Sequence, residues 1–164
     1  MKKVLLLIII ALTSVYASAQ NTSSAAITID SLSVRLEKLQ RDYDYLLCDF
    51  ELTRMKAELN ELSQDANIKS NSLLLDIYHS SYDRDLYSAY SRNYDVYCAL
   101  FDSQKEKYEH LKTLVTLKAI ASSFSDTQLS VLDSAFKSID KSIASVDSAL
   151  KYDKLVVDIY RDKR

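Results

Sequence analysis

The sequence predicts an all-α fold, and three observations predict it. The chain of 164 residues contains no glycine and no proline. Hairpin turns, bulges and helix breaks lean on those two residues, which make up roughly 12% of an average protein. Apolar residues recur at 3-4 spacing over most of the length, and the segments between are short and polar. Such a chain folds most readily as long helices joined by short links. The expected architecture is an elongated antiparallel three-helix coiled coil or bundle with a long central helix. A four-helix bundle, with the central helix broken near Ser80 or Asn93, is the alternative.

The first residues, MKKVLLLIIIALTSVYASAQ, read as a signal peptide spanning 1–19. Lys2 and Lys3 open it, Val4 to Leu12 form its apolar core, and Ala17-Ser18-Ala19 is a small-residue cleavage site. The apolar core is roughly half of what a membrane-spanning helix needs. No cysteine follows the cleavage site, which argues against a lipid anchor. The chain is expected to be exported, to the periplasm or the medium, with no membrane span after cleavage. Removing Lys2 and Lys3 leaves 19 basic against 23 acidic residues, a formal charge of −4. A weakly acidic exported chain is a poor partner for nucleic acid, whose phosphates demand clustered Lys and Arg.

Residues 20–29 are small, polar and unpatterned, and are expected as a flexible leader before a helical domain over 30–164. Asp30 or Ser31 supplies the first helix start. The first half of that helix places Leu32, Leu36, Leu39, Tyr43, Leu46 and Phe50 on one stripe. Its second half places Cys48, Leu52, Met55, Leu59 and Leu62 on another. At 100° per residue the two stripes face opposite sides, and supercoil drift of ~20° per heptad cannot account for the change. The helix therefore meets different partners along its two halves, or bends between them.

The segment DANIKSNS, Asp65 to Ser72, is the expected loop. A second helix follows, from about Leu73 to Ala121, with a weak restart signal in Ser80, Ser81 and Asp83. Its middle carries a ladder of tyrosines, Tyr87, Tyr90, Tyr94 and Tyr97, continued by Phe101 and Tyr108. Ser125 and Gln128 form a capping box for the third helix. There Asp126, Asp133, Asp140 and Asp147 recur every seven residues. Leu129, Phe136, Ile143, Leu150 and Val157 occupy one core position, and Leu132, Ile139, Val146 and Tyr160 the other, with Asp153 as the exception. Ala135, Ser142 and Ala149 are small enough to let a neighbouring helix approach closely. The Ser and Asp residues of the repeat read as a solvated face rather than a site.

Folding the first helix back about residue 69 sets Leu32–Phe50 beside roughly 88–106, and folding the third about residue 124 sets roughly 142–160 beside the same stretch. Tyr87, Tyr90, Tyr94, Tyr97 and Phe101 then line a seam between helices, each phenol burying its ring and wetting its hydroxyl. The competing use of the same residues is a face for a partner or ligand.

Cys48 and Cys98 are the candidates for a disulfide in an oxidising compartment. The fold-back at 69 leaves them ~12 Å apart along the axis, beyond the reach of a disulfide, whereas a turn near residue 73 would join them. Free thiols and a bond between chains stand as alternatives. His79 and His110 are the two histidines, and on one continuous helix they lie ~46 Å apart. HExxH, CxxC, CxxCH and Glu-x-x-His do not occur, and phosphate loops and the nucleophile elbow both require glycine. The acidic groups Asp42, Asp44, Asp49, Glu51 and Asp83, Asp85 lack the turn of a calcium loop, and Glu106 and Glu109 read as salt-bridged surface. No catalytic residue, cofactor or metal is expected. The leading expectation is a non-enzymatic interaction protein (scaffold, adaptor or holdase-like binder) with a protein partner or self-association. The alternative is a small-ligand-binding bundle with a tyrosine-lined cavity.

Overall fold

A computed structural model describes residues 22–79 and 82–162. The expected signal peptide, 1–19, lies outside the described residues. Three helices pack against each other: α1 (Thr22–His79), α2 (Arg84–Ala121) and α3 (Asp126–Asp162), with no strand among the described residues. The fold is an all-α three-helix bundle, but its helix ends differ from those expected. The longest helix is α1, with 58 residues against 38 and 37. It begins at Thr22, within the stretch expected as a leader, and runs unbroken through Asp65–Ser72, the expected loop. The anticipated central helix is divided instead near Ser80, between His79 and Arg84.

The reason lies in two small residues. Cys48, Leu52, Met55, Leu59 and Leu62 are buried, and the stripe continues through Ala66, Ser70, Leu73 and Ile77. Ala66 and Ser70 keep the helical register and are both 0% exposed. Ser70 turns its hydroxyl onto the Ala66 carbonyl at 2.9 Å, and Asn67 caps the Ser63 carbonyl at 2.8 Å. The segment is polar, yet its inward positions are filled, and Asn67, Ser70 and Ser72 bond back onto carbonyls of the same helix.

Asp83 starts α2. Its backbone is extended, and its carboxylate accepts from the Asp85 and Leu86 amides at 2.7 and 3.1 Å, which satisfies two donors of the first turn. The α2–α3 link is a Schellman motif made without glycine. The Phe124 amide bonds the Ala119 carbonyl and the Ser123 amide bonds the Ile120 carbonyl, with Ser123 in the left-handed region at φ 51°. Phe124 is buried and meets the Tyr45 ring edge-on at 6.0 Å. The capping box follows as expected, Ser125 amide to Gln128 Oε1 at 3.0 Å and Gln128 amide to Ser125 Oγ at 3.3 Å.

The chain divides into two units, Met1–Asp44 and Tyr45–Arg164. In the second, α1 from Tyr45 onward packs with α2 and α3. Gln104 bonds Glu58 and Tyr90 bonds Asp76, so α1 and α2 are antiparallel about residues 81–83 rather than 69. Asn60–Ser142, Ser63–Ser145 and Ser70–Asp153 hold a constant offset of 82 or 83, which makes α1 and α3 parallel. Tyr108 reaches Asp140 at 2.9 Å, and the Asp83 amide reaches the Tyr160 hydroxyl at 3.0 Å, so α2 and α3 run antiparallel. On α3 the positions Leu132, Ile139, Val146, Asp153 and Tyr160 are all buried, whereas Leu129 at the other core position is 42% exposed. Leu59, Leu73, Ile139 and Val146 are fully buried, and such side chains contribute about 1.5–3 kcal/mol each.

Candidate functional site

The tyrosine ladder spreads over two clusters of the bundle. Tyr87 and Tyr90 pack against Leu73, Ile77, Val156, Val157 and Tyr160, whereas Tyr94, Tyr97 and Cys98 pack against the larger core that contains buried Phe101. The four ladder tyrosines are half-buried. The Tyr90 hydroxyl donates to Asp76 at 2.7 Å, and burial together with that carboxylate pushes its pKa up to about 12. The Tyr94 phenol lies beside the Cys98 thiol, and that neighbour together with burial pushes its pKa up to about 12. Burial raises Tyr97 as well, reinforced by the charges of Asp65 and Asp153. Farther along α2, Tyr108 is buried against Phe136, and burial and its bond to Asp140 hold the phenol well above its ordinary value. Tyr82 stacks obliquely on Tyr87 and Tyr160 at 6.1 and 5.6 Å.

The ladder therefore lies where α2 meets its neighbours, with the Tyr90 hydroxyl engaged by Asp76. Two surface depressions of about 250 and 280 Å³ lie elsewhere. One runs along Met55, Glu58, His110, Leu111 and Leu114, the other along Val115, Ala119, Leu132 and Phe136, and neither is lined by a ladder tyrosine. No disulfide joins Cys48 and Cys98 in this structure, Cys48 being buried and Cys98 half-buried beside Tyr94. His79 ends α1 and His110 is mid-α2, both exposed. Among the described residues no three His, Cys, Asp or Glu side chains gather to hold a metal, and no described helix is long and apolar enough to cross a membrane.

Asp153, the exception in the α3 repeat, is 3% exposed and accepts from Ser70 Oγ at 2.9 Å. The same hydroxyl lies 2.9 Å from the Ala66 carbonyl, so its proton is shared between two acceptors. Burial pushes the carboxyl up and the Ser70 bond opposes that rise. With Ser142–Asn60 at 2.9 Å and Ser63–Ser145 at 3.0 Å, it forms a polar ladder between α1 and α3. The sequence marked Asp153 as out of place, but Ser70 stood in the supposed loop, so the pair went unseen. The ladder fixes the register of two helices and offers no opening to a substrate.

The largest departure from expectation is the first stripe of α1. Ile29, Leu36, Leu39, Tyr43, Leu46 and Phe50 are 45–66% exposed, and Leu32 is half-buried. The opposite stripe, Cys48 to Leu62, is 0–8% exposed. Leu32–Phe50 was expected beside residues 88–106 of α2; within the second unit the fold-back comes after His79 instead of at 69, which moves Leu46 and Phe50 away from that stretch. The two stripes differ as opposite faces of one helix, the first exposed and the second buried. Compared with protein-family models, curated proteins and solved structures, the chain has no match.

Proposed function

We propose that the protein is an exported, non-enzymatic interaction protein, a scaffold, adaptor or holdase-like binder that works through its helix faces. One observation carries the reading: an apolar stripe with 3-4 spacing, Ile29 to Phe50, is left open on α1. Scattered exposed leucines need no explanation, but a contiguous apolar row does. Sustained 3-4 spacing is the pattern by which one helix receives another. Export is supported by the basic start, apolar core and Ala17-Ser18-Ala19.

Affinity capture from the envelope and medium of the producing cell, using the exported chain and its Leu36→Asp/Leu39→Asp variant, tests the reading. Proteins held by the native chain and released by the variant are the expected result. Identical captures with both chains would remove the stripe from the function and the reading with it.

A further inference from the structure

We infer that the stripe's occupant is a second copy of this chain, laid antiparallel across it. The inference rests on the reading as an interaction protein and supplies its partner. With Ile29, Leu36 and Tyr43 at heptad position a, and Leu32 and Leu39 at d, the flanking g positions hold Arg35 and Asp42. Antiparallel helices pair a with d across the seam and g with g beside it, and the flanking charges select the orientation. One register sets Leu36 against Leu39 and Leu32 against Tyr43 of the second copy, each twice by symmetry. Arg35 then lies beside Asp42 of the second copy, also twice, and no like charges meet. The sequence extends the same register by Ile29 against Leu46.

A parallel pairing does worse. It sets Arg35 against Gln40 and Asp42 against Leu47, so neither charge gains a partner. The antiparallel arrangement is self-complementary, the same patch on both chains, and closes at two copies. The exposed parts of these side chains amount to an interface on the order of 1,000 Å² over both chains, the lower bound for a stable specific contact.

Sedimentation equilibrium of the purified chain tests the proposal. A dimer is expected in the micromolar range, and Leu36→Asp/Leu39→Asp should weaken it on the order of a hundredfold or more with helicity unchanged by circular dichroism. Arg35→Asp and Asp42→Arg should each weaken it about tenfold, and the two together should restore it. A native chain that stays monomeric at about 100 µM overturns the proposal, as does a dimer indifferent to the leucine changes. A dimer that needs the leucines but is not rescued by the double exchange overturns the antiparallel pairing. A monomer that still captures another protein in a stripe-dependent way refutes the second copy alone. A monomer whose captures ignore the stripe refutes the interaction reading as well.

Discussion

Truncating one leucine on each side of α1 separates the two stripes energetically. Leu59 is 0% exposed in the core and Leu39 is 66% exposed on the opposite stripe. Leu59→Ala removes buried methyl groups and leaves a cavity between three helices, at a cost of about 2–5 kcal/mol. The bundle unit, Tyr45–Arg164, unfolds with an entropy of roughly 2 cal/mol/K per residue. A loss of about 3 kcal/mol therefore lowers its melting temperature by roughly 10 °C. Leu39→Ala removes the same atoms from a site already in water, and should change stability by less than about 0.5 kcal/mol. Thermal melts followed by circular dichroism, run dilute enough that association does not contribute, measure both. Equal losses at the two sites would mean that both stripes are covered within one chain, and the register of α1 on α2 would be wrong. A reversed order would place the fold-back near residue 69 after all.

Three further outcomes follow from the same geometry. Asp153 is protonated more readily in the folded chain than in the unfolded one. Its stabilising share is thus complete below the ordinary carboxylate value of about 3.9 and lost as pH rises through its raised folded value. Asp153→Asn should therefore raise the melting temperature more at pH 7 than at pH 4, and a pH-independent difference would contradict a raised Asp153. Ser123→Gly should stabilise by up to about 1 kcal/mol, because glycine meets no Cβ conflict at φ 51°, and a destabilised variant would argue against the left-handed link. Tyr160→Phe removes the acceptor of the Asp83 amide at the start of α2 and should cost about 1 kcal/mol in a urea titration. An unchanged midpoint would show that this cap needs no help from α3.

Much of the fold was legible because helix content and helix starts are local properties. The lack of glycine and proline excluded hairpin turns, the Ser125–Gln128 box and Asp83 supplied donors' partners within three residues, and the α3 repeat named its own buried row. Asp65–Ser72 was misread because polarity was taken for exposure. In the folded chain Ala66 and Ser70 are inward positions where a small side chain and a carboxyl from α3 replace a leucine. That pairing joins residues 83 apart, and no local signal announces it. Moving the fold-back from 69 to the segment after His79 then slides every α1–α2 contact. Leu36, Leu39 and Tyr43 stay exposed, although their spacing is as regular as that of the buried stripe. Periodicity says that a face requires cover, and only register says what covers it. The tyrosine ladder fared differently: it lies in the first third of α2, packed against α1 and α3, and what the sequence could not supply was Asp76 as the partner of the Tyr90 hydroxyl.

The unbroken run of α1 through Asp65–Ser72 decides which stripe is buried and which is open. Amide hydrogen exchange resolved over residues 66–73 measures it directly. Protection there comparable to that of residues 55–62 is the expected result, since both belong to one helix in the bundle. Exchange at the rate of a solvated loop would restore the earlier fold-back, cover Leu32–Phe50 with α2, and remove the open face on which the proposed function depends.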